Sequence, residues 1–194
     1  MDLLQKLKYL PLSNGQLKTL TGCPILLYSE LSNFQTLNDI FLAHPDNSCF
    51  GILYLSSPHY GHFCSVIKTN IDDSLEIIEF FDPYGYKPDV QLDFNTDDTN
   101  ESLRQDGKIL SALLIESPYE LSFNNYDFQG RASDVQTCGF QCAMRIKLRE
   151  FSLKEYKKII DILKEMTGFD TNEIILTYML HFAIKCIEDN YDNS

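Results

Sequence analysis

Hydrophobic positions change their spacing along the chain, and the changes divide it into helix, then strands, then helices. In NFQTLNDIFL (33–42), Phe34, Leu37, Ile40 and Phe41 recur at helical intervals behind Ser32, a suitable N-cap. After the turn-rich HPDNS come FGILYLS (50–56), HFCSVIK (62–68) and LEIIEFF (75–81). Each is short and rich in β-branched or aromatic residues, and turn chemistry separates them, so they predict three consecutive strands. LSALLIES (110–117) is too brief for periodicity to choose between a fourth strand and a short helix. The acidic, polar QLDFNTDDTNESLRQDGK reads as a solvated surface loop. From Cys138 the spacing turns helical, with Phe140, Met144, Ile146 and Leu148 on a broad apolar face. Ser152 and Glu155 then form a capping-box signature for a helix to about Lys164. A last helix is predicted from Thr171 or Asn172 to about Cys186 behind Asp170, with Ile174, Ile175, Tyr178, Leu180 and Phe182 in the core. The fold class is α+β, with a central, mostly antiparallel sheet flanked by helices.

Composition narrows this picture. A chain of 194 residues with 44% apolar and 12% aromatic residues suits one domain, 1–194, around a single core. The formal charge of −12 opposes direct binding to DNA and favours a basic partner, such as a basic peptide. No apolar run approaches the ~20 residues of a membrane span, and the N-terminus lacks a signal-like h-region. The expectation is a soluble protein that is not secreted, whose six cysteines stay free rather than building a dense disulfide framework. Their spacings contain no CxxC pair, so a zinc site has little support.

Two residues gain meaning from strand pairing. A hairpin centred on the polar turn near Asp72 pairs residues whose numbers add to about 144, which sets His62 opposite Asp82 with Cβ atoms about 5 Å apart. A carboxylate there would hold the imidazole through Nδ1 and leave Nε2 to take a proton. The same spacing also suits an ordinary cross-strand ion pair. Among the cysteines, Cys138 stands just before a predicted helix, where free amides and the helix dipole lower a thiol pKa. Gly139 beside it would let substrate approach closely. Cys142, Cys64 and Cys186 read as buried small hydrophobes. His59 is the second choice of base, although its hairpin partner would offer no carboxylate.

The order GHF (61–63), IEFFDPYG (78–85), NNYDFQ (124–129) and TCGFQC (137–142) resembles the adenain-type cysteine proteases, which share a clan with the SUMO-specific proteases. The match covers roughly residues 50–150. Within the clan it is most similar to maturation proteases of large DNA viruses, virophages and Polinton-type elements. The resemblance implies Cys138 as nucleophile, His62 as general base and later acid, Asp82 as orienting carboxylate, and Gln129 with backbone amides as the oxyanion site. Phe63 replaces the family's usual Trp and would keep an aromatic wall over the site. Gln129 lies nine residues before Cys138, a longer interval than usual, and Gln136, two before it, is the other candidate donor.

The resemblance implies a cysteine endopeptidase that needs no cofactor or metal. Its substrates would be capsid or core proteins with Gly-rich cleavage sites, processed in the virion and the host cytoplasm. A deubiquitinase or deSUMOylase would use the same triad. An acyltransferase would need acyl-CoA and basic patches that this acidic chain lacks, and a non-catalytic interaction domain would make the motifs accidental.

Overall fold

The computed structural model describes residues 3–44, 48–72, 75–130 and 135–180 and resolves the patterns into an α+β fold on one five-stranded sheet. The central strands are β2 (Cys49–Ser57), β3 (Tyr60–Asp72) and β4 (Leu75–Phe81), joined as the antiparallel meander that their apolar runs predict. Two short strands flank them in parallel, β1 (Ile25–Leu27) beside β2 and β5 (Glu120–Phe123) beside β4. The sheet is therefore mixed, and mostly antiparallel as expected, with its parallel pairs confined to the two short edge strands. Each edge strand connects to its neighbour through a helical crossover, and a crossover of that kind yields a parallel pair.

Alternation along the strands feeds two helical layers. Phe50, Ile52, Tyr54, Cys64, Val66, Ile78 and Phe80 pack with the 3-10 turn Tyr28–Asn33, α3 (Leu37–Ala43) and α5 (Ile109–Ile115). Phe63 and Phe81 face the second layer, made of α1 (Leu3–Lys8), α2 (Asn14–Thr21), α6 (Cys138–Lys147), α7 (Leu153–Thr167) and α8 (Thr171–Tyr178). Residues Cys138 to Ile146 of α6 are all buried. They include Arg145, whose guanidinium grips Glu79 at 2.6 and 2.7 Å and donates to the carbonyls of Leu148 and Phe151. Pairing on that scale is what makes a buried charge tolerable.

Local signals hold where capping chemistry is explicit. Ser152 and Glu155 close their reciprocal box, Asp170 and Glu173 do the same for α8, and α7 runs to Thr167 before left-handed Gly168 ends it. Other expectations are corrected. The N-cap of α3 is Thr36, boxed with Asp39, because Ser32 is consumed by the preceding 3-10 turn. The 110–117 run is helical, as α5. The supposed surface loop contains a 3-10 turn, Val90–Phe94, and α4 (Asp97–Ser102), anchored by buried Leu92, Asn100 and Gln105. Tyr178 is exposed rather than core, while Ile174 and Ile175 are buried as expected. The predicted continuation of α8 through Phe182 to Cys186 lies outside the described residues, as does His181.

The free-thiol expectation also fails at one place. Cys23 and Cys49 form a disulfide with Cα atoms 5.9 Å apart. Ile25 pairs with Gly51 in the parallel ladder, and stepping back two residues on both strands lays Cys23 beside Cys49. Cys64, Cys138 and Cys142 are free and buried. Among the described residues, no helix is long and apolar enough to cross a membrane.

Candidate active site

The β3–β4 register decides how His62 meets Asp82. Ser65 pairs with Phe81, so the pairing runs two residues beyond the turn-centred expectation. Strand β3 continues through the polar residues to Asp72, which moves the turn along the chain. A slip of two keeps every side chain on its face, whereas a slip of one would have sent His62 and Asp82 to opposite sides. Asp82 follows the last residue of β4 and reaches His62 on the diagonal, with Oδ1 3.1 Å from Nε2. That contact corrects the expected tautomer assignment, since the carboxylate takes Nε2 and leaves Nδ1 for Cys138.

Asp82 is fully buried and every contact it makes favours its ionised form. Gln91 Nε2 donates to Oδ2 at 3.0 Å, Cys64 Sγ donates to Oδ2 at 3.3 Å, and the Tyr84 amide donates to Oδ1 at 2.7 Å. Asn124 clamps its backbone, accepting from the Asp82 N–H and donating to the Asp82 carbonyl. Burial alone would raise this carboxyl, but the His62 charge and these donors hold it below the usual carboxylate range. The turn that follows, Asp82-Pro83-Tyr84-Gly85, is closed by the Gly85 amide on the Asp82 carbonyl at 2.8 Å. Gly85 is required there: its φ is 77°, and a Cβ would strike the Tyr126 carbonyl.

Cys138 begins α6, as the helical pattern predicts, and its N-cap Thr137 makes no side-chain cap. Thr137 instead donates to Asn172 Oδ1 at 2.6 Å, and the Gly139 amide at the start of the helix bonds the sulfur. Burial works against the Cys138 thiolate, yet the hydrogen bond and charge of His62, with the backbone amides of Phe63 and Gly139, bring its pKa below the ordinary thiol value. His62 responds in kind. Burial would lower its pKa, but Asp82 and Cys138 push it up to about 10. The three groups thus stand in series, and the charge of each favours the charged form of the next.

Two cavities meet at Cys138. One, of about 380 Å³, is lined by His62, Tyr84, Gln91, Gln129 and Gln136. The other, of about 410 Å³, is more apolar and runs past Leu12, Leu53, Leu55 and Phe63, with His59 on its wall. Phe63 therefore walls the second cavity, and the ring stacked on His62, 4.8 Å between centroids, belongs to Tyr84. Gly139 has a packing reason rather than the expected substrate clearance, because a Cβ there would lie 3.1 Å from Leu12. The N-terminal segment is part of this wall: the Gln136 amide bonds the Lys8 carbonyl, and Lys8 pairs with Asp170 at 2.7 Å and Glu173 at 3.4 Å.

Gln129 is buried in the first cavity, and its amide nitrogen donates to the Tyr84 hydroxyl at 3.1 Å and to the Val135 carbonyl at 2.9 Å. Asn172 bridges the same region, donating to the Gln129 carbonyl at 2.7 Å and accepting from Thr137 and Gln141. It fastens the Gln129 loop to the start of α6, and sequence reasoning missed it because nothing local marks a cap-adjacent Asn as a bridge. Cys64 and Tyr84 were missed too, although both left signals. Cys64 stands two residues after His62 on the same strand face, and Tyr84 lies inside the DPYG turn. Cys142 is core, as expected, with Sγ on the Phe63 carbonyl.

Among the described residues, His62, Cys64 and Asp82 form the group whose ligand atoms lie closest, within 4.8 Å of one another. They are already joined by hydrogen bonds, and burial followed by the Asp82 charge drives the Cys64 thiol well above its usual range. In that state the thiol serves as a donor to Asp82.

No protein-family model matches the chain. Over 137 residues it is 36% identical to "Uncharacterized protein V9" of Sputnik virophage, spanning 71% of this chain and 74% of that protein. The chain belongs to the family of this virophage protein. Among solved structures, the central domain of the Lpg1148 protein from Legionella pneumophila aligns over 91% of this chain and 98% of that one, with 15% identity and a TM-score of 0.43.

Proposed function

We propose that the protein is a cysteine endopeptidase of the adenain and ubiquitin-like-protease type, acting on viral capsid or core proteins during virion maturation. The observation that carries this reading is the series Asp82, His62, Cys138, with the sulfur at a helix N-terminus where two cavities meet. The virophage relation supports the viral setting. The Cys138 thiolate attacks the scissile carbonyl, and His62, held by Asp82 through Nε2, delivers its proton to the leaving amine. The neutral imidazole then activates water to release the acyl-enzyme. The amides at the start of α6 and the Gln129 side of the first cavity face the region where the oxyanion forms.

Co-expression with virophage capsid proteins tests the reading. New termini, read by mass spectrometry, are expected with the wild type and absent with Cys138→Ala. Cleavage that persists in Cys138→Ala, or that occurs only in ubiquitin-like tails, overturns it.

A further inference from the structure

We propose that Tyr84 is a catalytic residue whose hydroxyl donates to the oxyanion, with Gln129 standing behind it as the group that orients and polarises that hydroxyl. The proposal rests on the cysteine-hydrolase reading above and assigns a donor which that reading leaves open.

Four observations converge on the phenol. Its ring is stacked on His62 at 4.8 Å with an interplanar angle of 21°, so the side chain is held against the base. Its backbone is fixed from both sides, through its amide on Asp82 Oδ1 and through the Gly85 turn. Its oxygen accepts from Gln129 Nε2, and its own O–H has no acceptor among the described residues. It lines the cavity that contains Cys138, His62 and Gln129. Gln129, by contrast, has both N–H bonds committed, one to Tyr84 and one to the Val135 carbonyl. Of the Tyr84–Gln129 pair, the donor left over for a newly formed anion is therefore the tyrosine O–H, and the bond from Gln129 strengthens it by polarisation.

In the step, the Cys138 Sγ–C bond forms as the carbonyl π pair moves onto oxygen. The Tyr84 O–H hydrogen-bonds that oxygen without giving up its proton. Collapse restores the C=O bond and breaks the bond to the leaving group, which takes its proton from His62. Burial, then the charges of Cys138 and Asp82, push the phenol up to about 12, so it stays a donor throughout the range below about 10 in which the His62 imidazolium persists.

The test compares wild type, Cys138→Ala and Tyr84→Phe with p-nitrophenyl acetate, and follows Cys138 alkylation by iodoacetamide, which passes through no oxyanion. Phe keeps the stack and the turn and removes only the hydroxyl. Acylation by the ester is expected to fall about 10²-fold, the usual cost of one oxyanion donor, while the rate and pH dependence of alkylation stay at wild-type values. An ester rate within about twofold of wild type overturns the proposal alone, as does a parallel fall in alkylation, which would mean a structural role. A wild type no faster than Cys138→Ala overturns the hydrolase reading and this proposal with it.

Discussion

Cys138 and Cys64 are both buried and both couple to the Asp82–His62 pair, yet their surroundings drive them in opposite directions. Cys138 opens α6 and meets an imidazolium and two backbone amides, which outweigh the desolvation cost of its thiolate. Cys64 lies in the middle of β3 and meets a carboxylate, which adds to that cost and keeps it protonated. Burial is common to the two sites, so the sign of the neighbouring charge decides which sulfur is drawn toward its thiolate and which is kept as a hydrogen-bond donor.

The largest break in that comparison is Cys138→Ala, which is expected to abolish peptide cleavage and iodoacetamide labelling at neutral pH. Labelling followed by peptide mapping checks it, and modification of Cys64 instead would reverse the assignment. Next comes His62→Ala. Loss of the general acid and base costs about 10²- to 10⁴-fold in cleavage, and the Cys138 alkylation midpoint moves up to the ordinary thiol range near about 8.5 or beyond. In the wild type, His62 is raised to about 10, so its imidazolium persists below that pH and is lost above it. Cys138 is lowered, so its thiolate persists below the ordinary thiol range. Cleavage plotted against pH should therefore rise below the ordinary thiol range and fall on the basic side near 10.

A third variant separates chemistry from scaffold. Arg145→Met leaves Glu79 buried beside α6 without its partner and should cost about 3–5 kcal/mol of stability in urea titrations. The alkylation midpoint of the folded protein should not move, because neither residue touches the sulfur. The smallest effect is expected from Cys64→Ala. It removes one neutral donor from Asp82, an interaction of about 1 kcal/mol, and should slow cleavage by about three- to tenfold. A rate equal to wild type would make Cys64 simple filler, and a loss as large as that of His62→Ala would make it part of the machinery.

Much of this was legible before the fold. Strands β2, β3 and β4, the start of α6 at Cys138 and the capping boxes of α7 and α8 follow from local patterns whose chemistry is complete within a few residues. Strands β1 and β5 were not legible, because three or four residues carry no period and both owe their pairing to a crossover. His62, Asp82 and Cys138 could be proposed as a group. The reason hairpin counting succeeded is narrower than it looks: the turn centre was misplaced by one residue, which shifts the pairing by two, and only an even shift in pairing preserves the facing side.

Alone, then, the sequence determined which residues could be grouped as a candidate site and on which kind of element each one sits, since helix starts, strand alternation and turn residues are set by near neighbours. Only the tertiary structure decided which ring nitrogen faces Asp82, that Tyr84 rather than Phe63 covers His62, that Asn172 fastens Gln129 to α6, and that Cys23 meets Cys49. Each of these depends on contacts between segments far apart in the chain, fixed by sheet register and crossover rather than by any local pattern.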